Sequence, residues 1–244
     1  VYYTEPRRDV GTKWENVKLV HLAKLFSPYF HELFSAQYPE LFLPSPQVSS
    51  KELFQEFIKE NYEKFPIYSK LAFATEEGTW VPQGLLFRYY KNTDRPDART
   101  IMSENEKVWA QYQDPLKGSL SQYRNLLLSD VLRVYAIARQ ESGFWEAKQG
   151  FLPEAQKHLL EGKRLDPTDI DSYIILSQVY LSSKQCDLAD SEIQYVIKRG
   201  DEPRGYLLNS LYAAICLKDP EKASLYQKLF EGSTRGKETS LQKL

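Results

Sequence analysis

The chain has 244 residues, 42% hydrophobic and 14% aromatic, which suits one large core or two small ones and is too apolar for a disordered chain. Lys and Arg number 32 against 33 Asp and Glu, a formal net charge of −1, so no global field recruits nucleic acid or an anionic membrane, and a nucleic-acid role is set aside. No run of 18 apolar residues is present, so no membrane crossing is expected. The sequence begins Val-Tyr-Tyr without an initiator Met or a charged-then-apolar leader, as expected of a processed protein or a piece of a longer one.

In chain order, Lys18–Leu22 reads as a short buried strand. Phe26, Tyr29, Phe30, Leu33 and Phe34 then recur at helical spacing. Three prolines make Pro39–Pro46 a loop, and Ser49 with Glu52 forms a capping box that opens a helix whose inner face is Leu53, Phe54, Phe57 and Ile58. Pro66–Phe73 and Gly84–Tyr90 alternate like strands, with Thr75–Thr79 as a loop between them. This order predicts a small α/β module over residues 1–125.

The second half repeats. Ala155, Ala189 and Ala223 stand 34 residues apart, each after a turn-like lead such as Gly150–Glu154 or Lys218–Lys222. A small residue belongs where two helices of a hairpin cross closely, since a larger one would force them apart. In the middle unit, about 170–203, Tyr173, Leu176, Ser177 and Tyr180 fill one helix, Ala189 and Ile193 the other, and Pro203 ends it. The first unit carries Gly143, Gly150, Ala155, Leu159, Gly162 and Pro167, but Glu146 occupies a slot usually taken by Tyr. The third keeps Leu207, Ala214, Ala223 and Phe230 while Ser210-Leu211 reverses the large–small order. The period and pattern resemble tetratricopeptide repeats, helical hairpins that stack to close a continuous core. Leu126–Val134 extends the first helix backwards, and residues 231–244 read as a polar, frayed tail. The fold class expected is therefore α+β, with the module at 1–125, hairpins at 126–230 and the tail at 231–244.

By the repeat resemblance, the first helices line a groove, offered here by Gln140, Phe144, Ile174, Gln178, Leu208 and Tyr212; the alternative is that these pack against the N-terminal half. The subclass that grips a peptide's terminal carboxylate through Lys, Arg and Asn is not matched, because Gln140 and Phe144 stand where Lys and Asn would be.

A second resemblance rests on Arg8-Asp9-Val10, Asn61 ahead of Phe65-Pro66-Ile67-Tyr68, and Pro82–Tyr89. That order is similar to the extramembrane C-terminal region of polytopic, protein O-mannosyltransferase-like membrane proteins (GT-C type), and it covers most of residues 1–200. It implies an α/β segment followed by tetratricopeptide-like helices, on the periplasmic or lumenal side of a membrane. The family's membrane helices, whose loops carry its catalytic acid, are not in this sequence, nor is the acidic motif that precedes the Arg-Asp-Val element. The chain is then a non-catalytic domain, inactive alone, that binds a protein or acceptor beside its parent membrane domain. The alternative is a self-standing scaffold, with a cytoplasmic location open, that holds a peptide or partner subunit.

No phosphate-cradling Gly loop, zinc helix, Cys-x-x-Cys pair or nucleophile elbow is present, so no catalytic residue, cofactor or metal is expected. His21, His31 and His158 are scattered and read as core or surface histidines. Glu76-Glu77 could do acid–base work only if their environments diverged, and an exposed loop is the simpler setting. Arg7-Arg8 could meet a phosphate, or simply be surface charge. Trp80 and Trp145 could stack on a sugar, with core packing the simpler reading. Cys186 and Cys216 fall within helical patterns and read as buried core thiols rather than a disulfide.

Overall fold

The structure, a computed structural model, describes residues 18, 20–117, 126–200 and 202–241. Among these residues the chain is mixed α+β and mostly helical, with a three-stranded antiparallel sheet. No helix among them is long and apolar enough to cross a membrane. The chain divides into two compact units, Val1–Ile67 and Tyr68–Leu244, so the boundary expected at 125/126 falls inside the second unit.

In the first unit, a 3-10 turn at Leu22–Phe26 begins at the last residue of the expected strand Lys18–Leu22, followed by α1 (Pro28–Gln37) and α2 (Ser50–Asn61). The capping box forms as read: Ser49 Oγ accepts from the Glu52 N–H, and a Glu52 carboxylate oxygen accepts from the Ser49 N–H. Leu25, Phe34 and Leu53 make the core. Buried Asn61 ties the proline loop to α2, since its amide donates to the carbonyls of Phe42 (2.9 Å) and Phe57 (2.7 Å) and its oxygen accepts from the Phe42 N–H. Arg7-Arg8 and the Arg8-Asp9-Val10 element lie outside the described residues.

The second unit begins with the sheet, β1 (Tyr68–Ser69), β2 (Gly78–Gln83) and β3 (Leu86–Lys91), ordered β1-β3-β2. The expected strand at Pro66–Phe73 shrinks to two residues, while β2 rises partly from the expected loop. Pro82 is tolerated because β2 is an edge strand, where a missing N–H breaks no ladder. Helix α3 (Ala98–Trp109) follows, its N-terminus capped by Asp97 accepting from the N–H groups of Arg99 and Thr100. Val81, Tyr90 and Ile101 share a core with Trp145 packed against them.

Six helices complete the unit: α4 (Leu126–Lys148), α5 (Leu152–Leu165), α6 (Ile170–Ser182), α7 (Cys186–Lys198), α8 (Glu202–Tyr212) and α9 (Pro220–Leu241). Each packs on the next in chain order, and α6 also touches α4 and α8. Helix α9 runs through Leu241, where a frayed tail was expected.

The corners repeat. Gly150, Lys184 and Lys218, each 34 residues from the next, all adopt positive φ (86°, 57° and 54°), the left-handed turn that ends one helix and starts its partner. At the first crossing a Cβ on Gly143 would sit 2.6 Å from Leu159 Cγ and 2.9 Å from the Ala155 carbonyl oxygen. At the third, Ser210 Oγ donates to the Ala223 carbonyl at 2.9 Å. The small residue there lies 13 positions before its alanine instead of 12, and the extra residue is absorbed by a π-helical turn at Ala213–Leu217. The reversed Ser210-Leu211 pair is thus a one-residue insertion.

Cys186 and Cys216 form a disulfide, correcting the expectation of free core thiols. Cys186 opens α7 and Cys216 lies in the π turn, so stacking of the second and third hairpins brings together residues that no local pattern links.

Candidate functional site

The six expected groove residues fall into two rows by the 34-residue interval. Positions 140, 174 and 208 turn inward: Ile174 and Leu208 are buried in a core with Tyr173, Ile193 and Val196, and Gln140 is half-buried. This corrects the placement of Ile174 and Leu208 on an open groove, because they fill the stack's own interior. Positions 144 and 178 turn outward, and 212 lies at the edge of the core. Phe144 is 37% exposed with Lys148 Nζ 4.1 Å from its ring centre, Gln178 is exposed, and Tyr212 is half-buried against both core clusters.

A different set of residues, buried where α3, α4 and α5 meet, has the more distinctive chemistry. His158 on α5 and Glu146 on α4 are fully buried, and Glu106 reaches in from α3. Arg139 Nη1 lies 2.9 Å from His158 Nδ1, and His158 Nε2 lies 2.5 Å from a Glu106 oxygen. An arginine can only donate, so Nδ1 accepts and Nε2 carries the proton it gives to Glu106. Lys157 Nζ donates to the other Glu106 oxygen at 2.7 Å, and the Arg139 guanidinium stacks 3.7 Å from the Trp109 ring centre. Both Glu146 oxygens are buried without a hydrogen bond, the nearer of them 3.4 Å from His158 Nε2.

Burial lifts the Glu146 carboxyl to about 8, helped by the charges of Glu106 and Glu154 and opposed by Lys157 and Arg139. Burial and the Arg139 charge push His158 down to about 4, against the pull of Glu106. Burial alone would raise Glu106, but its hydrogen bond from Lys157 and the neighbouring His158 bring it below the ordinary carboxylate value. At neutral pH the cluster therefore holds a neutral imidazole and a protonated Glu146.

The donor atoms of Glu106, Glu146 and His158 lie within 4.8 Å of one another, close enough to bridge a divalent cation. Metal-bound histidines, however, donate their second N–H outward, and here Arg139 occupies that position as a donor. The imidazole thus turns its proton, not its lone pair, toward the carboxylates. What this arrangement can do is hold or release a proton.

Sequence reading named His158 only as a core or surface histidine and missed Glu106, because α3 was not assigned. The signal was Glu146, a carboxylate in a repeat slot that ordinarily takes an aromatic core residue. Of the remaining candidates, Glu76 and Glu77 are exposed. Trp80 is buried between Phe73 and Tyr89, with ring centres 4.8 and 5.3 Å away, and Trp145 packs on the sheet core, so both serve packing. His31 Nε2 approaches the Leu43 carbonyl at 3.4 Å.

Set against protein-family models, curated proteins and solved structures, the chain matches none.

Proposed function

We propose that the hairpins are a tetratricopeptide-like scaffold that holds a protein or peptide along Phe144, Gln178 and Tyr212, within the non-catalytic extracytoplasmic domain of a membrane glycosyltransferase-like protein. The observation carrying the scaffold reading is the recurrence of left-handed corners at Gly150, Lys184 and Lys218 at the tetratricopeptide interval. The extracytoplasmic part draws support from the Cys186–Cys216 disulfide, since cytosolic reductants keep structural thiols reduced. The glycosyltransferase-like parent rests on the sequence resemblance. On this reading the chain is inactive alone and positions an acceptor polypeptide or a neighbouring subunit.

A photo-crosslinking residue at position 178, compared in native cells with one at exposed Lys198 on α7, tests the binding row. Adducts from 178 alone are expected; equal labelling from both positions, or none from 178, would sink it. The parent assignment is tested by sequencing the gene upstream of the Val1 codon. Hydrophobic spans there support it, and their absence leaves the self-standing scaffold.

A further inference from the structure

The C-terminal half of α3 meets the α4–α5 hairpin through the buried Trp109 ring, 6.3 Å from Tyr135 and 6.0 Å from His158 between ring centres, and through a set of directional polar contacts. Asn105 Nδ2 and Trp109 Nε1 both donate to Ser142 Oγ, at 3.2 and 3.3 Å, and Glu106 takes hydrogen bonds from Lys157 and His158. The N-terminal half differs, since Ile101 is fixed in an apolar core with Val81, Tyr90 and the packed Trp145. Among the described residues, the stack's own apolar clusters draw on α4 to α8 and the following π turn, with no member from α3. Polar joints of this kind fail with small displacements or a change of charge, whereas apolar ones tolerate both.

We propose that the Glu106–His158–Glu146 cluster is a proton-operated latch, which grips the C-terminal half of α3 against the α4–α5 hairpin while Glu146 keeps its proton and loosens it when that proton leaves. The ionised Glu146 would be a buried carboxylate with no donor, beside the Glu106 charge and near that of Glu154. The cations within reach are already engaged, Lys157 on Glu106 and Arg139 on His158 and Trp109. A buried charge left in that state is strongly unfavourable, and separating α3 admits water to it.

The direction and range of pH follow from the two buried groups. Glu146 is raised to about 8 from its ordinary 4.5, so its contribution to the grip is complete below 4.5 and declines up to 8. His158 is lowered to about 4 from 6.5, so its contribution grows between those values. The two offset one another up to 6.5, and from there to 8 only the Glu146 loss remains. Opening should rise by less than tenfold per pH unit over that range, roughly eightfold in all, because His158 is half-titrated at 6.5 and Glu146 at 8.

Hydrogen exchange on the intact protein at pH 6.5 and 8.0, corrected for intrinsic rates, reads the latch directly. Protection over residues 105–112 should fall about eightfold while α7 keeps its own, and E146Q, which holds a neutral group in place, should abolish the fall. If E146Q does not fold by circular dichroism, E146L serves the same purpose. The proposal is overturned by pH-independent protection of 105–112 in the wild type, by an equal loss in α7, or by a Glu146 variant that keeps the wild-type response.

Discussion

Gly143 and Ala155 face each other across the first hairpin, and the distances there leave no room for a branched side chain. G143V should therefore destabilise the protein by about 1–3 kcal/mol through overpacking, read as a lower urea midpoint with an unchanged slope. Three residues further along α4, Glu146 sets a second expectation. In the wild type, the opposing titrations of Glu146 and His158 should hold the urea midpoint nearly level from pH 4.5 to 6.5 before it declines toward 8. E146Q leaves His158 acting alone, so its midpoint should climb from pH 4.5 to 6.5 and then stay flat. A midpoint in E146Q that still fell above 6.5 would place the titrating group elsewhere. Much of this was half-legible in the sequence. Gly143 and Ala155 were readable because size at a crossing is a local requirement, and Glu146 showed itself as a misfit. Its partners were not readable: Glu106 comes from a helix 40 positions earlier, and only the fold brings the two together. The one cue to that helix was Asp97, which caps it, followed by Ile101, Val108 and Trp109 on an otherwise polar stretch.

Among the elements, the disulfide ties two hairpins together covalently. It closes a span of 30 residues between two hairpins, a constraint on the unfolded chain of about 3–4 kcal/mol by loop entropy. Reduction, or the C186S/C216S double change, should lower Tm by about 10 °C in a scanning melt, with the helical circular dichroism retained below the transition. No change in Tm would mean that packing of the second on the third hairpin already imposes the constraint. The helices were legible wherever a cap or a period marked them, as at Ser49 and along Ala155, Ala189 and Ala223. The strands were less so. Lys18–Leu22 has a strand's composition, and from its last residue the chain closes into a 3-10 turn, Leu22–Phe26, that places Leu25 in the core with Phe34 and Leu53. Gly78 and Pro82 disguised β2 as a loop, because turn residues also occur in an edge strand. The π turn could not be foreseen from composition, although the displaced Ser210 recorded it.

For the whole molecule, the 34-residue interval was the most informative feature of the sequence, and the structure shows why it outlasts a one-residue insertion. The surplus is taken up in the π turn just before the third corner, so Ser210 still meets Ala223 and the corner itself keeps its place. The division of the chain was harder to read. The sheet precedes the repeats in the chain, and β2 packs both on α3 and on α4, the first helix of the hairpins. The interval also sorts part of the surface, since Phe144 and Gln178 are exposed while Ile174 and Leu208 build the interior. The Cys186–Cys216 bond bears on how such a molecule responds to tension. A stack of hairpins pulled at its two ends gives way one layer at a time, each releasing its length of chain. Here the covalent bridge withholds the residues between the two sulfurs, roughly 100 Å of extended backbone at about 3.4 Å per residue. Under load α7 and α8 would therefore stay shackled to each other, while α6 and α9, outside the closed loop, could still come away.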